Sequence, residues 1–139
     1  MTNTPMPPFA SPAVAAAYQA LPATAREAAM ALRDLIFMVA ADTPEAGEIA
    51  EVLRWGQPSY ITPKTKSGST LRIGATKAGE AAIFAHCGSQ IISTYAATFP
   101  GMDWIEGNRA VIFAKTEDIA PERLRLLIRH GLTYHLGDG

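Results

Sequence analysis

A chain of 139 residues with 48% hydrophobic and 18% charged residues holds enough apolar material for one filled core, which excludes a disordered polymer. Its formal net charge of −1 supplies no basic excess of the kind that holds phosphates, so nucleic acid is not an expected partner. The single cysteine, Cys87, excludes an internal disulfide and a cysteine-rich metal knuckle.

Residues 1–10, with Pro5, Pro7 and Pro8, read as an extended arm, and residues 11–139 as one domain. The arm has neither a basic n-region nor an apolar h-region, so no secretory signal is expected. Ser11-Pro12 matches an N-cap followed by proline at the first helical position. Val14, Tyr18 and Leu21 then give one short helix a single apolar face, and Leu21-Pro22 ends it. A second helix is predicted from Thr24 to Ala41, with Ala28, Leu32, Leu35, Ile36 and Val39 as its core stripe. Arg26, Glu27, Arg33 and Asp34 mark its solvent side. The longest apolar run, Leu35 to Ala41, falls well short of the ~18–20 residues a bilayer span needs, so no membrane partner is expected. Together these features predict a soluble, cytoplasmic protein.

Asp42-Thr43-Pro44-Glu45 reads as the start of a third helix, with Ile49, Val52 and Leu53 as its buried positions and Gly56 as its terminator. The period then changes from about 3.6 to 2. Tyr60 to Thr62 reads as a short strand stopped by Pro63. Leu71, Ile73 and Ala75 alternate with Thr70, Arg72 and Thr76, which predicts a strand with one wet face. Ala78-Gly79 turns into Ala81–Cys87, apolar on both faces and therefore central, and Ala110–Ala114 is a second interior strand. Gln90–Thr98 fits a helix or a strand equally. From Pro121 a last helix carries Leu124, Leu127, Ile128, Gly131 and Leu132 on one face, closed by Gly137. Helices, then strands, then a helix predict an α+β domain. Its antiparallel sheet has about five strands, packed against the N-terminal helices and a C-terminal helix.

Chemistry is sparser. The corner Trp55-Gly56-Gln57-Pro58-Ser59-Tyr60 is rigid and aromatic, the composition of a pocket wall, although such corners also serve as joints in proteins that bind nothing there. With the sheet residues Phe84 and His86, and with Trp104, the residues Trp55, Pro58 and Tyr60 form the expected small-ligand pocket. His86 and Cys87 are adjacent, so on a strand they point to opposite faces and make no nucleophile–base pair; Cys87 reads as a small buried hydrophobe. No Gly-x-Ser-x-Gly or His-Glu-x-x-His motif is present, and the expectation is a non-catalytic binding domain without a cofactor. Ser67-Gly68-Ser69-Thr70 resembles a phosphate loop in composition only, lacking the glycine–lysine spacing. Arg123, Arg125, Arg129 and His130 give the last helix a basic side, which suits its dipole or an anion.

Asp42, Glu45 and Glu48 step by three along the third predicted helix, with Glu51 nearby. Clustered carboxylates suit a hard cation or ferrous iron, and acids also suit the first turn of a helix electrostatically. No histidine falls in register with them. Met30 and Phe37, seven residues apart on the second helix, lie outside its core stripe. They predict either a homodimer patch or a surface covered by the first helix and the arm.

The Trp55-Gly56-x-Pro58-x-Tyr60 corner, preceded by two helices and the acidic Glu45–Glu51 turn, resembles the small bacterial family called DUF1801, or YdhG-like. Arg109–Phe113 as a strand, then Ile119 and Leu124–Ile128 as a closing helix, follow that family's order. The resemblance runs from about Tyr18 to Leu132. It implies helices packed on an antiparallel sheet, frataxin-like in outline. It also implies a second function: an iron-binding chaperone using Asp42, Glu45, Glu48 and Glu51. The chain departs from the family pattern at Thr76-Lys77-Ala78-Gly79-Glu80, a short polar turn where a lysine-containing strand entry is usual.

Overall fold

In a computed structural model, which describes residues 7–136, every helix packs on the same face of a six-stranded antiparallel sheet. The helices are α1 (Pro12–Gln19), α2 (Ala23–Ala41), α3 (Ile91–Thr98) and α4 (Pro121–Leu132). The strands are β1 (Ala50–Arg54), β2 (Gln57–Ile61), β3 (Leu71–Ala75), β4 (Ala81–Ala85), β5 (Trp104–Glu106) and β6 (Ala110–Phe113). They lie in the order β1-β2-β3-β4-β6-β5. The α+β class is as the sequence predicts, with one strand more than expected. Two of the six were not read as strands: β1 falls in the stretch read as a third helix, and β5 is three residues long, too short to show a period.

Ser11 caps α1 as expected, its Oγ accepting from the Val14 N–H at 3.2 Å, with Pro12 in the first turn. The stripe of α2 and the whole predicted face of α4 are buried. The Gln90–Thr98 ambiguity resolves as helix α3, which buries Ile91, Ile92 and Tyr95. Strand alternation sends Tyr60, Leu71, Ile73, Ile83, Val111 and Phe113 under the helices into one core. On the opposite face Ala82, Phe84, Ala110 and Ile112 form a second, small apolar cluster with no helix over it.

The third helix is corrected. After α2 the chain makes one short 3-10 turn, Pro44–Ala46, and then enters β1. Thr43 donates its hydroxyl back to the Val39 carbonyl at 2.7 Å, closing α2, and Gly47 at φ 71° swings the chain out of helical geometry. Gly56 is a hairpin glycine between β1 and β2 and not a helix terminator.

Consequently Glu51 faces the core, while Leu53 lies on the surface. Arg33, expected at the solvent, is buried with it: its Nε donates to Glu51 Oε2 at 2.6 Å and its Nη2 to Oε1 at 3.0 Å. Tyr60 donates to Glu51 Oε2 at 2.7 Å and shares a hydrogen bond with the Tyr18 hydroxyl. The arm joins this cluster through the Ala10 N–H on Glu51 Oε1 and the Pro8 carbonyl on Arg33, with Phe9 under the guanidinium. Residues 7–10 are therefore docked, while Pro5 of the expected arm and the expected closing residue Gly137 lie outside the described residues.

Met30 and Phe37 are half-buried and packed on the core, Phe37 edge-on to Tyr60 with Arg33 over its ring. The open apolar patch expected there is not present. Phe37 is spent inside one chain, and the large exposed residue of α2 is Met38.

Candidate functional site

The β1–β2 hairpin turns on Trp55 and Gly56, both at positive φ (52° and 74°), the sign pattern of a type I′ turn. Such turns favour Asn-Gly because an L-residue with a Cβ pays about 1–2 kcal/mol in this conformation. Tryptophan is a costly choice there, and its indole is 81% exposed. Nothing in the core accounts for either cost.

The indole stands over a hollow of about 300 Å³ at the end of the open sheet face, lined by Arg54, Arg72, Arg109, Ser69, His86 and Cys87, among others. No carboxylate lines it, and none of its arginines is in an ion pair among the described residues. The Arg72 guanidinium lies between two rings, 5.3 Å from the Trp55 centroid and 5.7 Å from that of Phe84. Arg109 lies 5.5 Å from the same Phe84 ring. Burial first, and then the positive charge of Arg109, pull the Arg72 guanidinium below its ordinary value. A hollow that crowds cations without a counter-charge favours an anion.

Arg72 is aimed by a neighbour. Gln57 Oε1 accepts from its Nη1 at 2.9 Å, and the Gln57 amide lies across β3 at Gly74. A Cβ at Gly74 would meet Gln57 Nε2 at 2.5 Å, so only glycine leaves that side chain its place. Gly74→Ala is expected to leave the melting temperature within a few degrees but to displace the Gln57 amide. The Arg72 Nε–H resonance should then shift or broaden in NMR spectra; an unchanged resonance would show that Gln57 does not hold it.

Ser69 and Thr70 enter the hollow from the loop before β3. That loop is pinned from below: Ser67 Oγ donates to the Leu132 carbonyl at 2.8 Å and the Ser69 N–H to the Gly131 carbonyl at 2.8 Å. Neither the Ser69 nor the Thr70 hydroxyl makes a hydrogen bond among the described residues. On the far side the Gly88 N–H donates to His86 Nδ1 at 3.0 Å, which places the ring hydrogen of the neutral imidazole on Nε2 as a free donor.

Of the residues predicted for the pocket, Trp55 and His86 line this hollow, and Phe84 supports its arginines from the open face. Trp104 stands across the sheet in a neighbouring hollow with Glu80 and Glu106, which Phe84 and Arg109 also border. Pro58 and Tyr60 are corrected: both point to the helix face, Tyr60 with no exposed surface. In a strand, residues 58 and 60 cannot share a face with 57 and 59. Cys87 is corrected as well. It follows β4 in a turn, is exposed, and lines the same hollow as His86.

The acidic set does not assemble. Glu45 pairs with Arg129 at 2.9 Å, Glu48 with Lys64 at 3.0 Å and Glu51 with Arg33, while Asp42 caps α2. The helix that would have lined up Asp42, Glu45, Glu48 and Glu51 is absent. No group of three metal-ligating side chains occurs among the described residues. On α4, Arg123 is engaged by Asp103 at 3.0 Å and Arg129 by Glu45, so its basic side is largely satisfied.

Sequence reasoning passed over Arg54, Arg72 and Arg109. Their signal was faint: one adjoins Trp55, one occupies a wet position of β3, and the third precedes β6. Their meeting depends on strand order, which no local pattern encodes. The fold and hollow together describe an antiparallel α+β scaffold with a cation-lined concavity on its uncovered face. Comparison with family models, curated proteins and solved structures gives no match, so the DUF1801 resemblance rests on the residues quoted for it. No helix among the described residues is long and apolar enough to cross a membrane.

Proposed function

We propose that this chain is a non-catalytic binding domain whose small-molecule ligand enters the hollow beside Trp55. One observation carries the reading: a tryptophan sits at a turn position that penalises it, almost fully exposed, over arginines that have no counter-ion among the described residues. Strain and exposed aromatic surface held together without a structural return belong to binding sites. Cytoplasmic location is part of the same proposal, because an exposed free thiol at Cys87 persists in a reducing compartment.

Trp55→Asn separates site from fold. Asparagine suits the left-handed position, so the variant should melt at or above the wild-type temperature, while Trp55 is lost to any ligand. The test is a metabolite-mixture screen by two-dimensional NMR. A true ligand should move the Trp55 indole N–H first, fail to stabilise Trp55→Asn, and at 100 times its dissociation constant add about 2.7 kcal/mol to the wild type. If every binding compound perturbs α4 or the Trp104 hollow and leaves the Trp55 indole unmoved, the reading is wrong.

A further inference from the structure

Resting on that reading, we infer that the hollow takes a flat aromatic ring carrying a phosphate monoester, a single mononucleotide-sized molecule with its phosphate among Arg54, Arg72 and Arg109 and its ring against Trp55.

The charge decides for phosphate over carboxylate. Three guanidiniums line the hollow without a carboxylate partner among the described residues. A carboxylate brings one negative charge, whereas a phosphate monoester carries about −1.5 to −2 near neutral pH and three acceptor oxygens. Guanidinium forks match those oxygens in pairs. Ser69, Thr70 and His86 Nε2 add neutral donors at the rim, and a phosphate can use all of them.

The ring is required by Trp55. Arg72 covers one face of the indole at 5.3 Å, and an indole with 81% exposure has its other face in solvent. A flat ring stacking there regains apolar contact worth about 1–3 kcal/mol for a base on an aromatic residue. Size then limits the ligand to one unit. About 300 Å³ is the lower bound for small-molecule pockets, which suits one mononucleotide-sized molecule. The net charge of −1 gives a polymer no long-range attraction.

The chain has two tryptophans, so Trp104→Phe leaves Trp55 as its one indole, excited selectively at the red edge where the tyrosines do not absorb. This variant is titrated with AMP, UMP and pyridoxine 5′-phosphate, with adenosine, uridine and pyridoxine, with inorganic phosphate, and with an eight-residue oligothymidylate. At least one of the three phosphate monoesters should quench Trp55 and bind about 10-fold or more tightly than both its dephosphorylated form and inorganic phosphate. That margin corresponds to one charge-assisted hydrogen bond. The nucleotide and pyridoxine arms show which ring is preferred. Arg109→Gln, at an exposed position, should weaken that binding about 10-fold with an unchanged melting curve. Arg72→Gln should do the same, and higher salt should weaken the wild type.

A dephosphorylated form binding as tightly as its phosphate would overturn the inference, as would indifference to Arg109→Gln. Tighter binding of the oligothymidylate would replace the single-molecule ligand with a single strand. If none of these probes quenches Trp55 while the metabolite screen still finds a ligand there, the ligand class is wrong and the binding site stands. If neither experiment moves Trp55, both fail.

Discussion

Glu51→Gln is expected to lose about 3–5 kcal/mol of folding stability, because it leaves the Arg33 guanidinium charged and buried without a counter-ion. Both side chains of the pair are only 2% exposed. Replacing the pair with apolar side chains of similar size (Arg33→Met with Glu51→Leu) should cost less than Glu51→Gln alone, since no orphaned charge remains. Urea unfolding of the single and double variants tests this. A double variant as unstable as the sum of its singles would show that the pair is uncoupled.

The same group sets an acid limit. Burial alone would raise the Glu51 carboxyl; hydrogen bonds from Arg33, Tyr60 and the Ala10 N–H outweigh it and hold the group below the ordinary glutamate value. A value depressed in the folded state gives stability that is complete above the unfolded-state value, near 4.3, and is lost as pH falls through the folded-state value. Wild-type stability should therefore fall more steeply below about pH 4 than that of Glu51→Gln. Equal slopes would assign the acid loss to other carboxylates, Asp103 first, which Arg123 and Tyr95 hold down in the same way against its burial.

Leu71→Ala is the second large effect, expected at about 2–5 kcal/mol for a fully buried leucine. Its partner is Gly131 of α4. A Cβ there would stand 2.9 Å from Leu71 Cδ2 and 3.0 Å from Cδ1 and Cγ, so the helix approaches β3 only because residue 131 has no side chain. Gly131→Ala alone should cost about 1–3 kcal/mol through overpacking, offset in part by the gain in helix propensity. In the Leu71→Ala background the added methyl enters vacated space, and Gly131→Ala should become neutral or stabilising. Additive losses in thermal unfolding would mean that the two residues do not share this contact.

The helices were legible because their buried faces repeat over many turns: every apolar position read for α4 is buried, and the stripe of α2 likewise. Central strands were legible from apolar runs. Residues 42–56 were misread because acids, a proline and spaced aliphatics imitate a helix start, whereas Gly47 and pairing with β2 decide the outcome. Tyr60 and Arg33 went astray for a related reason. Their burial is stabilised by Glu51, and a polar group matched only by distant residues gives no periodic signal. The hollow was half legible: Trp55 and His86 advertise themselves by type, but the three arginines converge only through sheet order.

Strand β2 carries an odd and an even set of residues with different duties. Gln57 and Ser59 belong to the open face, Pro58 and Tyr60 to the covered one. A one-residue deletion in the Trp55-Gly56 turn that slid β2 along β1 would exchange the two sets at once. Tyr60 would leave Glu51 in the same step in which Gln57 left Arg72. Length variation in this hairpin therefore has no graded outcomes. On the proposed reading, substitution at Trp55 alters what the molecule would hold while leaving its body intact, but insertion or deletion beside it removes hollow and fold together, so any ligand preference would drift by replacement of side chains and not by resizing of the loop.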